Sequence, residues 1–225
     1  MNQRIRTSYR PMTRSVVAEH SVLRNTYLLL GMTLLWSALT AAFSIYTAKQ
    51  VNPFIDFIGI YGLLFLVQAN AHTSFGIVCT FLFTGFMGYT LGPLLSLVLY
   101  GVANGSQLLM VSLATTGIVF VSLSAYVATS KHSFGFMGGT LFVLLISSVV
   151  LSLCALLFSI PLLFILTSAL MVLVSSGLIM YHTSEIVHGG ETNYILATIS
   201  LYVALYNLFV NMLQLMLYFN GSRRD

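Results

Sequence analysis

Apolar residues gather along this chain into seven blocks separated by short polar breaks: Tyr27–Ala48, Phe54–Ala69, Phe75–Val98, Leu108–Thr129, Phe134–Phe158, Leu162–Val187 and Tyr194–Phe219. A helix that crosses a bilayer needs about 20 apolar residues, with a working range of roughly 17–25. The pattern therefore predicts seven transmembrane helices. The breaks are rich in turn residues, as at Asn52-Pro53, residues 101–105 and residues 188–193. Connections this short keep consecutive helices adjacent in one bundle. The second block is the shortest, and with Pro53 at its start and Asp56 a turn later its beginning is expected near the membrane surface.

The last block carries a second pattern. Asn193, Ala197, Ser200, Ala204, Asn207, Asn211 and Gln214 recur at alternating spacings of four and three, which is one stripe of a helix. In lipid, amides seek partners on neighbouring helices and small residues let backbones approach. The last helix is therefore expected at the centre of the bundle, with Asn207, Asn211 and Gln214 tying it to its neighbours or facing a buried cavity. Glycines Gly85, Gly88 and Gly92 share a face of the third helix, and Gly135 and Gly139 sit a turn apart in the fifth, which predicts close helix approach. Pro93 inside the third helix is expected to kink it.

Composition narrows the class. Hydrophobic residues make up 58% of 225 and charged residues 6%, far from the roughly 25% charged of soluble domains. The chain reads as an all-α integral membrane protein, with a basic tail over 1–26, a seven-helix transmembrane domain over 27–219 and a polar end over 220–225. The first 26 residues are too polar, and the following run too long, for a cleaved signal peptide. Arg4, Arg6, Arg10, Arg14 and Arg24 precede the first span, so the positive-inside rule places the N-terminus in the cytoplasm. Seven crossings then put the C-terminus outside, in tension with Arg223 and Arg224. An incomplete last crossing would put both ends in the cytoplasm. The net charge of +4 reflects these orientation signals rather than nucleic-acid binding. Cys79 and Cys154 lie inside apolar runs and read as small packing residues.

No metalloprotease His-Glu-x-x-His, nucleophile elbow, phosphate loop or dinucleotide fingerprint occurs, which argues against an enzyme and against a bound cofactor. The ionisable residues that remain are His182, Glu185, His188 and Glu191 at the end of the sixth block. Their spacing of three puts neighbouring members on one helix face. A proton or metal site competes there with ordinary interfacial residues, and the second needs no ligand. His182 is the natural proton sensor of the group, given an unperturbed pKa near 6.5. The paired glycines at 189 and 190 end the sixth helix, and Thr192 or Asn193 can cap the seventh.

Several segments carry a resemblance: Tyr181-His-Thr-Ser-Glu-Ile, His188-Gly-Gly-Glu-Thr-Asn-Tyr, Leu201-Tyr-Val-Ala-Leu-Tyr-Asn-Leu-Phe, Leu23-Arg-Asn-Thr-Tyr and Thr84-Gly-Phe-Met-Gly-Tyr-Thr-Leu-Gly-Pro. They resemble the Bax inhibitor motif family, in particular its bacterial YccA branch. That resemblance implies a seven-helix protein of the bacterial inner membrane, its last helix central. It also implies a protein that binds the membrane-anchored AAA protease FtsH and its HflK–HflC partners, and is both substrate and modulator of that protease. The basic tail with Arg4, Arg6, Arg10 and Arg14 would be the cytosolic handle that the protease engages. Other members act as pH-sensitive calcium leaks through a pair of aspartates. Here His182 and Ala204 stand at those positions, with Glu185 and Asn207 close by in sequence, so two of the hard oxygen ligands that calcium favours are missing. A protease modulator is the leading reading and an ion leak the alternative.

Overall fold

The computed structural model describes residues 13–47 and 52–221, and builds them almost entirely from helix. In chain order these are α1 (Thr13–Thr47), α2 (Pro53–Asn70), α3 (Phe75–Gly101), α4 (Gly105–Thr129), α5 (Gly138–Phe158), α6 (Pro161–Val187) and α7 (Tyr194–Gly221), with one 3-10 turn at Gly135–Met137 before α5. Among the described residues, all but α2 contain a stretch long and apolar enough to cross a membrane. The 18 residues of α2 rise about 27 Å, slightly short of a hydrocarbon core of about 30 Å. The fold is an all-α membrane bundle.

Helix α1 is already formed at Thr13, where the described residues start, upstream of its apolar stretch over Ser21–Thr47. Hydropathy marks where a helix enters lipid and not how far it extends beyond, so the basic segment around Arg14 is helical as well. Arg4, Arg6, Arg10, Arg223 and Arg224 lie outside the described residues.

Contacts between loops fix the direction of each helix. The Asn193 amide at the start of α7 donates to the Ala71 carbonyl at the end of α2, at 2.8 Å. The Phe134 N–H after α4 donates to Ser184 Oγ near the end of α6, at 2.8 Å, and Thr198 Oγ1 of α7 donates to the Thr26 carbonyl of α1, at 3.3 Å. The early part of α1, the ends of α2, α4 and α6, and the start of α7 therefore share one end of the bundle. Neighbours in sequence run antiparallel, and α7, whose 28 residues rise about 42 Å, finishes at the opposite end.

Helix α7 occupies the middle. It packs against α1, α3, α4 and α6, and 61% of its apolar window is buried, the highest share of any span. Helices α1 and α3 pack intimately because Gly85, Gly88 and Gly92 leave room for Trp36, Ser37 and Ser44, and a Cβ at Gly88 would meet the Ser37 carbonyl. Trp36 Nε1 adds a hydrogen bond across to the Phe81 carbonyl at 3.0 Å. The second glycine pair behaves differently from the sequence expectation. Gly135 lies in the 3-10 turn, close against the Glu185 carboxylate of α6, whereas a Cβ at Gly139 would meet nothing within 4 Å, so only the first of the pair marks a close approach. Helix α3 continues through Pro93 to Gly101. Cys79 is buried, and both cysteines are free.

Candidate functional site

Polar chemistry in the bundle is strung along α7 at three levels. The first is the end where α6 turns into α7. Helix α6 stops at Val187 and the chain reverses through Gly189, whose φ of 75° is the left-handed conformation that glycine accepts without strain. The Glu191 N–H then donates to the Glu185 carbonyl at 3.0 Å, and the Glu191 carboxylate accepts from the Asn193 N–H at 2.7 Å. Asn193 caps α7, its Oδ1 accepting from the N–H groups of Ile195 at 2.9 Å and Leu196 at 3.4 Å.

A pocket of about 190 Å³ sits behind this turn, walled by Tyr181, His182 and Glu185 of α6, by Glu191 of the loop and by Ala197 and Ser200 of α7. Ala197 and Ser200 are small, which is why a pocket exists there. The sequence-predicted residues His182, Glu185, Glu191 and Ser200 are thus brought together. Ala204, a turn farther along α7, does not join them and is 1% exposed in the apolar core. His188 turns back on its own helix, with Nδ1 3.0 Å from the Ser184 carbonyl. Among the described residues, no three His, Cys, Asp or Glu side chains converge as metal ligands.

The second level lies at the heart of the bundle and centres on Tyr202, which is 1% exposed. Its hydroxyl is 2.6 Å from Ser37 Oγ of α1 and donates to the Thr84 carbonyl of α3 at 3.1 Å. One phenol thereby links three helices. Phe83 meets its ring edge-on with centroids 6.2 Å apart, and a turn later the Tyr206 hydroxyl lies 3.4 Å from Thr90 Oγ1 of α3. Sequence reasoning missed this knot. Tyr202 stood in a recognised motif, but a lone serine or threonine in an apolar run carries no sign of which distant partner it meets.

At the third level the amides divide. Gln214 Oε1 accepts from Ser168 Oγ of α6 at 2.9 Å, joining two helices. The Asn207 and Asn211 side-chain nitrogens instead donate to carbonyls within α7, those of Val203 at 3.0 Å and Asn207 at 2.7 Å. Of the stripe, Asn193 and Gln214 bind other elements at its two ends, while Ala197 and Ala204 in its middle are buried contact points.

These features sit in segments shared with known proteins. The protein-family description "Inhibitor of apoptosis-promoting Bax1", abbreviated Bax1-I, matches residues 19–221. The chain is 41% identical over 203 residues to the Escherichia coli K12 protein named modulator of FtsH protease YccA, covering 90% of this chain and 92% of that protein. An uncharacterised Pseudomonas aeruginosa protein is 46% identical over 213 residues, covering 89% of this chain and 92% of that one. A Vibrio cholerae membrane protein is 40% identical over 207 residues, with 90% and 92% covered. The matched region takes in all of α2 to α7 and the apolar part of α1, so the central Tyr202 helix and the turn that caps it are those of a family fold, and the chain belongs to the Bax1-I family, the Bax inhibitors.

Proposed function

We propose that this chain is a non-catalytic protein of the bacterial inner membrane that binds an FtsH-type membrane AAA protease and modulates it. The observation that carries this reading is the similarity, over nearly the whole of both chains, to an E. coli protein named for that activity. HflK–HflC are proposed as further partners. The N-terminus is placed in the cytoplasm, where Arg4, Arg6, Arg10 and Arg14 offer a basic segment for the protease to engage.

The fold suggests how engagement becomes inhibition. A processive protease that pulls on the N-terminal segment first meets α1. That helix is held to α3 by the glycine face and to α7 through Ser37 and Tyr202. Such a bundle resists extraction, and a slowly processed substrate occupies the protease at the expense of others. Deleting residues 2–20 is expected to abolish FtsH-dependent degradation of the protein, measured as its half-life after synthesis is stopped. Unchanged turnover of the shortened chain contradicts the mechanism.

A pH-sensitive cation leak is the second reading, supported by the family and by one observation. His182, Glu185 and Glu191 line a common pocket beside α7. Against it stand the imidazole and methyl groups of His182 and Ala204, where the leak mechanism calls for two carboxylates.

A further inference from the structure

Helices α1 and α4 do not close against each other along their whole length, and a lateral cleft runs between them with α7 and α3 behind. Its outer part, about 940 Å³, is lined on α1 by Ser21, Arg24 and Tyr27 and on α4 by Phe120, Ser124 and Ala128. Its inner part, about 460 Å³, runs along Leu109, Leu113, Gly117 and Phe120 of α4 as far as Tyr202 of α7. Phe120 borders both parts, its ring 5.8 Å from that of Tyr27. We propose that this cleft is a binding site for one anionic phospholipid, its phosphate held at Arg24 and an acyl chain lying in the inner part.

The chemistry of the two parts differs in the way a phospholipid requires. The mouth offers the guanidinium-bearing side chain of Arg24, an exposed residue among mostly apolar walls. Basic pockets between transmembrane helices are suited to anionic headgroups.

The inner part offers an occupant almost nothing polar. Ser37 and Tyr202 are bonded to each other, and Thr116 Oγ1 donates to the Ser112 carbonyl of its own helix at 2.8 Å. What remains is hydrocarbon wall. A hydrocarbon chain, which needs no polar partner, matches this lining.

The test uses the full-length protein in mild detergent, with dioleoylphosphatidylglycerol and dioleoylphosphatidylcholine as probes and native mass spectrometry to count retained lipid. Wild type is expected to retain the anionic lipid in preference. Arg24→Gln is expected to reduce that preference about fivefold, the effect of one basic residue near an anionic headgroup. Gly117→Leu fills the inner part, since a Cβ there meets nothing within 4 Å, and is expected to lower retention of both lipids. Gly31→Leu, equally unobstructed and outside the cleft, is expected to behave as wild type. Equal retention of the two lipids by wild type, or unchanged retention in both cleft variants, overturns the proposal. A benzoylphenylalanine at Val121, which lines the mouth, should crosslink lipid in native membranes. A crosslink to a polypeptide instead assigns the cleft to a protein partner and overturns the lipid site.

Discussion

Replacing Tyr202 by Phe would remove one hydroxyl from the bundle and strand the Ser37 hydroxyl on α1 in an apolar surrounding. Hydrogen bonds between membrane helices contribute about 0.6 kcal/mol on average and about 1.7 at most. Tyr202→Phe and Ser37→Ala are each expected to destabilise by an amount in that range. Because both delete the same bond, the double variant should cost less than the sum of the two, as measured by unfolding in detergent. Strict additivity would show that the 2.6 Å contact contributes no coupling. Gly88 makes the complementary case for close packing. A methyl there meets the Ser37 backbone carbonyl, which cannot swing aside as a side chain can. Gly88→Ala is expected to cost about 1–3 kcal/mol through forced separation of α1 and α3, whereas Gly117→Ala, with open space around its Cβ, should be near neutral. Equal effects from the two would contradict the close approach of α1 and α3.

Among the elements, α7 shows most clearly what a sequence discloses. The stripe from Asn193 to Gln214 correctly marks the helix that ends up enclosed, because small and amide residues at one angular position are tolerated in lipid only against other helices. The cap was legible as Thr192 or Asn193, since a polar residue between paired glycines and an apolar run has few other uses, and the structure gives it to Asn193. The helical stretch of α1 ahead of its apolar residues was not legible, because a basic helical segment outside the membrane leaves no hydropathic trace. Gly139 misled because glycine spacing alone does not say whether another helix lies opposite. Tyr202 went unmarked because its partner Ser37 is separated from it by 165 residues. Asn193 itself separates two roles. Asn193→Ala loses both the cap and the bond to the Ala71 carbonyl, while Asn193→Asp keeps an oxygen for the Ile195 N–H and loses only the amide donor. The alanine change is expected to cost about 0.5–2 kcal/mol and the aspartate change less, read by unfolding in detergent and by hydrogen exchange at the first turn of α7. An equal loss for the two would make the link to α2, rather than the cap, the dominant role.

For the whole molecule, the antiparallel sequence of helices and the enclosed α7 give a bundle with its connections at two opposite ends. At one of them lie the beginning of α1, the turn around Glu191 and the mouth of the α1–α4 cleft. The central claim is that this bundle engages an FtsH-type protease. Its most direct test is affinity purification of the tagged protein from native membranes in mild detergent, with mass spectrometry of the co-purifying proteins and an unrelated seven-helix membrane protein as control. Specific recovery of FtsH together with HflK and HflC is the predicted result. Their absence, at a level no higher than in the control, would contradict the account and shift the weight to ion flux through the His182 pocket.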